Sequence, residues 1–147
     1  MSNDHQGLSG VLRVRSVRER DSRTGVAAAL AEEREAAAKV ADLQQMLTSL
    51  PAPRAADLAS FQGHQHTIEL IRTALGAAHQ SLEGARQLTV AARERWVADK
   101  SRLAAVESLV ERRAAAARLE RRRREDRELD EIAGELWRRH NTLQVTR

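Results

Sequence analysis

The chain has no cysteine and few aromatic side chains. Of its 147 residues, aromatics make up 2%, with one Phe, two Trp and no Tyr. Without thiols, neither disulfides nor thiolate metal sites can form. With so few large rings, the chain has little material to enclose the apolar pocket of an ordinary enzyme. The composition therefore disfavours an enzyme, and we expect no cofactor.

Long apolar runs and short catalytic motifs are also missing. No stretch approaches the roughly 18 apolar residues that cross a bilayer, and the opening MSNDHQGLSG has no apolar signal-peptide core. Neither of the phosphate-binding patterns GxxxxGK[ST] and GxGxxG occurs. His64 and His66 are two residues apart, so on a helix they project to nearly opposite sides and predict no metal site. We expect a cytoplasmic protein that does not insert into a membrane.

Glycine and proline are scarce, at 7 and 2 residues, while Ala, Arg, Glu and Leu dominate. This composition is typical of long helices and coiled coils. Both prolines fall in Leu50-Pro51-Ala52-Pro53, where they remove amide donors and push the preceding residues out of the helical region. The sequence predicts one all-α unit over 1–147: helix one over about 8–50, a turn over about 50–56, helix two over about 56–140 capped by Asp57 or Ser60, and disordered ends at 1–7 and 141–147.

A seven-residue repeat runs through helix two. Such spacing predicts a coiled-coil seam with a left-handed supercoil. One row holds Phe61, Ile68, Leu75, Leu82, Thr89, Trp96, Leu103 and Val110, and the other holds His64, Ile71, Ala78, Ala85, Ala92, Asp99 and Val106.

Two striped helices joined by a short turn favour an antiparallel two-helix coiled-coil hairpin over one long helix that dimerises in parallel. Helix one is less regular, and Ser22 and Gly25 predict a frayed or bent stretch over 13–25. With the turn near residue 53, residue n of one helix faces about residue 106 − n of the other. Gly10 then faces Trp96, and the part of helix two after Trp96 extends beyond helix one. The uncovered stripe predicts a contact with another chain, unless the N-terminal residues or a shifted register cover it. That stripe contains Leu103, Val106, Leu109 and Val110.

Four arginines, Arg121–Arg124, follow the seam and precede a run of acids. On a helix they point in nearly all directions, and Glu125, Asp126 and Glu128 are spaced to pair with arginines along the helix. A basic zipper carries its basic segment before the heptads, not after them. No aromatic stacking surface is present, and the acids repel phosphate. A protein-docking surface or a solvated helix is therefore favoured over nucleic-acid or membrane-surface binding.

Several segments of the chain resemble the flagellar export protein family FliJ. The C-terminal half of the family is matched by the following residues of this chain, in order: Trp96, Leu103, Leu109, Glu111-Arg112 and Leu129-Asp130-Glu131-Ile132-Ala133. The family's opening resembles Leu12-Arg13-Val14-Arg15. Two family features are missing. The family has two aromatics three residues apart after the turn, whereas here Phe61 is followed by His64 or itself stands for the second aromatic, and the family's Gln before Asp130-Glu131 is absent.

The resemblance implies a non-enzymatic component of the flagellar type III export apparatus, held at the inner face of the cell membrane through its partners. Those partners are the hexameric export ATPase, the membrane export gate and, as cargo escorts, export chaperones. A stalk of a virulence-type secretion system is the alternative. Among the seam residues of the seven-residue repeat, we single out four for the coiled coil: Leu75, Leu82, Trp96 and Val110. The implied ATPase contact comprises Leu103, Leu109, Arg112, Arg121, Arg122, Arg123, Arg124, Asp130 and Glu131, and the implied gate contact at the hairpin tip comprises Phe61 and Ile68.

Overall fold

Two long helices make up the fold in the computed structural model, which describes residues 2–53 and 57–145, and the side chains of 7–53 and 57–142. Helix α1 spans Ser2–Thr48 and helix α2 spans Leu58–Val145. The two pack against each other, and α2 is nearly twice as long as α1. The described residues contain no strand. The predicted all-α hairpin with a longer second helix is confirmed.

The break between the helices falls at the two prolines, as predicted. The chain leaves α1 at Thr48, and Pro51 and Pro53 lie in the connection. Asp57 caps the second helix, because its Oδ1 accepts a hydrogen bond from the Ala59 amide at 3.1 Å. The Asp57 carbonyl accepts the first intrahelical bond, from Phe61 N at 3.1 Å. Of the two predicted caps, Asp57 and Ser60, the sequence therefore uses Asp57.

The helices are longer than predicted, and α1 is more regular. It begins at Ser2 rather than near residue 8. It also runs without interruption through 13–25, so the predicted fraying there is wrong. Ser22 keeps its hydroxyl satisfied within the helix, because its Oγ lies 2.9 Å from the Arg18 carbonyl oxygen. At the chain ends, residues 1 and 146–147, which were predicted to be disordered, lie outside the described residues.

The core is a thin seam of side chains between the two helices. Val40 on α1 packs with Ala78 and Leu82 on α2 in one buried cluster, and Ala36, Leu43 and Leu75 pack against it. Along α2 the buried and half-buried residues follow the predicted seven-residue repeat. Phe61 departs from it, since its side chain is exposed. Three polar residues interrupt this seam: Ser22, Thr89 and Asp99 are all buried.

Two hydrogen bonds between the helices fix their antiparallel register. Trp96 Nε1 donates to Glu19 Oε1 at 2.9 Å. Thr89 Oγ1 lies 3.3 Å from the Ala29 carbonyl on α1 and shares its hydrogen with the Ala85 carbonyl of its own helix, at 3.1 Å. Residue n therefore lies level with about 117 − n, a displacement from the predicted register of roughly 16 Å at 1.5 Å per residue. The prediction that Gly10 faces Trp96 is wrong.

The physical reason lies at the connection. Residues 50–53 are not helical, because each proline keeps the residue before it out of the helical region, and the helices do not turn back tightly at residue 53. Instead, Thr48 lies level with about residue 69 in the observed register, so the first turns of α2 run past the end of α1. The same displacement moves the partners of α1 toward the C-terminal end of α2.

The chain divides into two compact units. Unit two comprises Arg13–Leu103 and contains the buried cluster and both hydrogen bonds between the helices. Unit one joins the start of α1, up to Leu12, with α2 from Ala104 onward. Within unit one Leu8 and Leu12 are half-buried, as are Val106, Leu109 and Val110. That the whole chain behaves as a single domain stays a prediction.

Candidate protein-binding surfaces

The predicted overhang begins later than expected. In the displaced register, Trp96 has a partner on α1, and Leu103, Val106, Leu109 and Val110 are half-buried. The prediction that α2 has no helix-one partner after Trp96 is therefore wrong. Aspartate at Leu103 or Leu109 would perturb helix packing as well as any outside contact.

The exposed part of α2 is the segment from Ala115 to Thr142, which we call the arm. Apart from Gly134, every residue of the arm is exposed. Its large apolar residues include Ile132 at 57% exposure and Trp137 at 67%. Several of these share one helical face, since they recur at three- and four-residue steps. The exposed large apolar residues of the arm are Leu119, Leu129, Ile132, Leu136 and Trp137.

The arginine run sits in the first half of the arm with all four side chains exposed. Arg124 Nε lies 3.6 Å from Glu120 Oε1, and Arg127 Nη2 lies 3.9 Å from the same carboxylate. The acid that pairs with Arg124 therefore precedes the run, whereas the sequence predicted pairing with Glu125, Asp126 or Glu128. Within the described residues, Arg121–Arg123 make no ion pair. Three guanidinium groups are thus free to bind carboxylates of another chain.

The second half of the arm carries acids beside its apolar residues. A shallow concavity on α2 is formed by Glu128, Glu131, Ile132 and Glu135, which we call the acidic face. Asp130 and Glu131 are both exposed. Glu135 pairs with Arg139 at 3.7 Å, with both side chains mostly exposed. Such an exposed pair contributes little and can exchange for another partner.

Arg112, the remaining predicted ATPase contact, lies on α2 before the arm. Its side chain is exposed, and its Nε donates to the Ser108 carbonyl at 3.4 Å on its own helix. The structure therefore spreads the predicted contact residues over two environments. Leu103 and Leu109 are half-buried, whereas Arg112, Arg121–Arg124, Asp130 and Glu131 are exposed.

The predicted tip contact lies at the start of α2, where that helix runs past the end of α1. Phe61 is 49% exposed, and Ile68, two turns further on, is half-buried. Leu58, three residues before Phe61, is the most exposed large apolar residue among the described side chains, at 72%. Phe61 and Leu58 therefore share an exposed helical face.

Trp96 is half-buried at the seam. Besides the bond to Glu19, Lys100 Nζ lies 5.2 Å from the centroid of its ring. An ammonium at this distance interacts favourably with the ring face. Trp96 therefore joins the two helices through its indole nitrogen, while the contact of its ring with Lys100 lies within α2. The other residues assigned to the seam differ in burial: Leu82 is buried, while Leu75 and Val110 are half-buried.

A groove lies alongside the seam in unit two, with an open volume of about 770 Å³. Small residues line it on both helices, among them Gly25, Ala91 and Ala98. Arg18 on α1 and Arg95 and Arg102 on α2 also line it, and we call it the arginine groove. Arg102 Nη1 lies 3.4 Å from Oδ1 of the buried Asp99, which also lines the groove. Within the described residues, neither Arg18 nor Arg95 makes an ion pair.

Leu58, Trp137 and the arginine groove were missed from the sequence. Trp137 is one of only two tryptophans. It follows Ile132, Ala133 and Gly134 by five, four and three residues, so it extends the apolar surface that begins at Ile132. That pattern would have pointed to it. No sequence signal would have found the arginine groove, because its residues come together only in the observed register.

Among the described residues, no three His, Cys, Asp or Glu side chains lie close enough together to hold a metal ion. Neither helix, over its described length, has a stretch apolar enough to span a membrane.

Comparison with known proteins identifies one family. The family model described as flagellar FliJ protein matches residues 5–142. No curated protein and no solved structure matches the chain significantly. The family match covers both helices and the connection between them.

Proposed function

The chain belongs to the flagellar FliJ protein family and is a component of the flagellar export apparatus, and from this premise we propose that it is a non-enzymatic stalk for the export ATPase. In this proposal, the arm binds the hexameric ATPase and promotes its assembly. The other end of the hairpin couples the ATPase to the membrane export gate. The protein lies in the cytoplasm, at the inner face of the cell membrane, through these contacts.

The observation that carries the ATPase contact is the exposed state of the arm. Its large apolar side chains are each more than half exposed, so burying each of them in a ring would stabilise the complex by up to about 1.5–3 kcal/mol. Arg121–Arg123 are exposed, make no ion pair with any described side chain, and project around the helix. A helix surrounded by subunits meets carboxylates from several directions, and arginines that project around the helix can pair with them. Asp130 and Glu131 then meet basic groups of the same ring.

The test is ATPase stimulation by the full-length protein. The triple variant Arg121→Glu, Arg122→Glu, Arg123→Glu should weaken binding to the hexamer by at least about tenfold, because it turns attraction into repulsion. A matched control is Arg34→Glu, Arg72→Glu, Arg93→Glu, which makes the same change in net charge on exposed arginines outside the arm. Equal stimulation by both triple variants would refute the arm contact.

Apolar variants separate charge from packing in the same assay. Leu129→Asp and Ile132→Asp change residues that are 64% and 57% exposed, so the helices should stay folded by circular dichroism. Both variants should lose stimulation. By contrast, Leu103→Asp and Leu109→Asp change half-buried residues and should lower the stability of the helices as well. Full stimulation by Ile132→Asp would exclude the apolar face from the contact.

For the export gate, we assign the exposed start of α2. Leu58 and Phe61 present an apolar face beyond the end of α1, and Ile68 continues it toward the seam. Phe61→Ala should weaken binding to the purified gate protein while leaving ATPase stimulation unchanged. Its control is Leu70→Ala, at a residue of similar exposure, 57%, further along α2. A loss of both activities in Phe61→Ala would mean that the two contacts are not separate.

Escort of export chaperones is a further expected role, and it is tested by co-purification of a chaperone with the full-length protein.

Nucleic-acid binding is the competing function that the arginine run allows. It predicts affinity for random duplex DNA that falls steeply with salt, and no effect on the ATPase.

A further inference from the structure

The arginine groove and the acidic face carry opposite charge. Three arginines, Arg18, Arg95 and Arg102, and two aspartates, Asp21 and the buried Asp99, line the groove, so its net charge is positive. Arg102 pairs with Asp99, whereas Arg18 and Arg95 make no ion pair within the described residues. The acidic face has three carboxylates around one exposed apolar residue, Ile132. A surface of this kind, with a charged border and an apolar centre, suits a protein partner of the opposite charge.

Shape is complementary as well. The groove is lined by small side chains, which lets the backbone and side chains of an approaching helix come close. Leu88, 60% exposed, supplies an apolar border. The acidic face offers a helix whose large apolar residues, Leu129, Ile132 and Leu136, stand exposed along one side. Large side chains over small ones is the arrangement in which two helices pack with few voids.

The spacing of the charges also agrees. Arg95 and Arg102 are seven residues apart on α2, which places them about 10 Å apart along the helix axis. Glu128 and Glu135 are also seven residues apart on a continuous helix. Two helices lying side by side can therefore oppose both pairs at once, in either direction. The ion pairs that Arg102 and Glu135 already make are partly or mostly exposed, so they can be shared or exchanged.

We propose that the arginine groove of one molecule binds the acidic face of a second copy of this chain. Because the two surfaces differ, the contact is heterologous, and the mass of the assembly grows with concentration unless a ring closes. The contact covers Ile132 and the carboxylate of Glu131. It does not depend on the ATPase contact; where both exist, they compete for the acidic face.

Light scattering behind size exclusion tests the proposal with the full-length protein at increasing concentration. At about 50 mM salt, the average mass should rise with concentration, and at about 0.5 M salt it should fall back toward 16.4 kDa, because exposed ion pairs are screened. Arg95→Glu should weaken association by about tenfold, because it reverses a charge bordering the groove. Arg93→Glu makes the same change at an exposed arginine outside the groove and should associate like the natural protein.

Mixing two variants distinguishes this contact from other kinds of association. The double variant Glu128→Arg, Glu135→Arg should also associate more weakly than the natural protein when alone. It should associate when mixed with Arg95→Glu, because its groove and the acidic face of Arg95→Glu are both unaltered, and the two altered surfaces again have opposite charge. A protein that stays at 16.4 kDa at all concentrations overturns the proposal. A mixture that fails to associate also overturns the proposal. Association that Ile132→Asp abolishes but Arg95→Glu leaves unchanged overturns it too, because the arms would then be pairing with each other. ATPase stimulation by Arg95→Glu that equals or exceeds that of the natural protein would show that the two proposals stand separately.

Discussion

Asp99 is a carboxylate at a seam position where an apolar residue is expected, and replacing it with leucine should stabilise the protein. Its exposure is 8%, and its one described partner is Arg102, at 3.4 Å, whose side chain is 59% exposed. Burial of a charged group costs free energy unless good partners offset it, and this pair is long and half in solvent. Asp99→Leu removes the buried charge and adds apolar area at the seam.

The magnitude follows from three contributions. Burying a leucine side chain is worth about 1.5–3 kcal/mol. The lost pair with Arg102 subtracts at most about 1 kcal/mol, as for other exposed ion pairs. Overpacking is avoided because Asp99 borders the arginine groove, which leaves room for the larger side chain. We expect a net gain in the free energy of unfolding of about 2 kcal/mol.

Urea unfolding followed by circular dichroism measures this gain. With a denaturant slope of about 2 kcal/mol/M, the midpoint should rise by about 1 M. Asp99→Asn is the matched control, because it removes the charge without adding apolar area and should give a smaller change. A midpoint for Asp99→Leu below that of the natural protein would refute the reasoning. It would mean that Asp99 and Arg102 stabilise the hairpin more than the apolar contact does.

Three further predictions concern single contacts, each with a matched control. Trp96→Phe should lower the free energy of unfolding by about 1–2 kcal/mol, because it removes the bond to the Glu19 carboxylate. Trp137→Phe, at a residue that is 67% exposed, should change it by less than about 0.5 kcal/mol in the same thermal or urea unfolding. Val40→Ala should cost about 1–2.5 kcal/mol through the buried cluster, whereas Val97→Ala, at 59% exposure, should cost nothing measurable. Asp57→Ala should cost about 1 kcal/mol and speed amide exchange at Ala59, and Ser60→Ala should do neither; equal effects would mean that Asp57 is not the cap.

The sequence by itself determined that the protein is helical, where the helices are interrupted, and which side of α2 faces α1. These are local properties. A proline acts on its own residue and on the one before it, and a seven-residue repeat follows from the geometry of a single helix. For the same reason, the buried positions Ile71, Ala78 and Leu82 could be read from spacing alone.

Only the tertiary structure decided the register, and with it the surfaces. A heptad seam packs almost equally well after a shift by whole heptads, so the pattern does not say which residue of α1 meets Trp96. That choice depends on the path of the chain around the prolines and on a few polar contacts, Trp96 with Glu19 and Thr89 with Ala29. The register in turn half-buries Leu103 and Leu109, leaves Ile132 and Trp137 exposed, and brings Arg18 to the groove beside Arg95. Exposure is a property of two helices together, and for that reason it could not be read from either one.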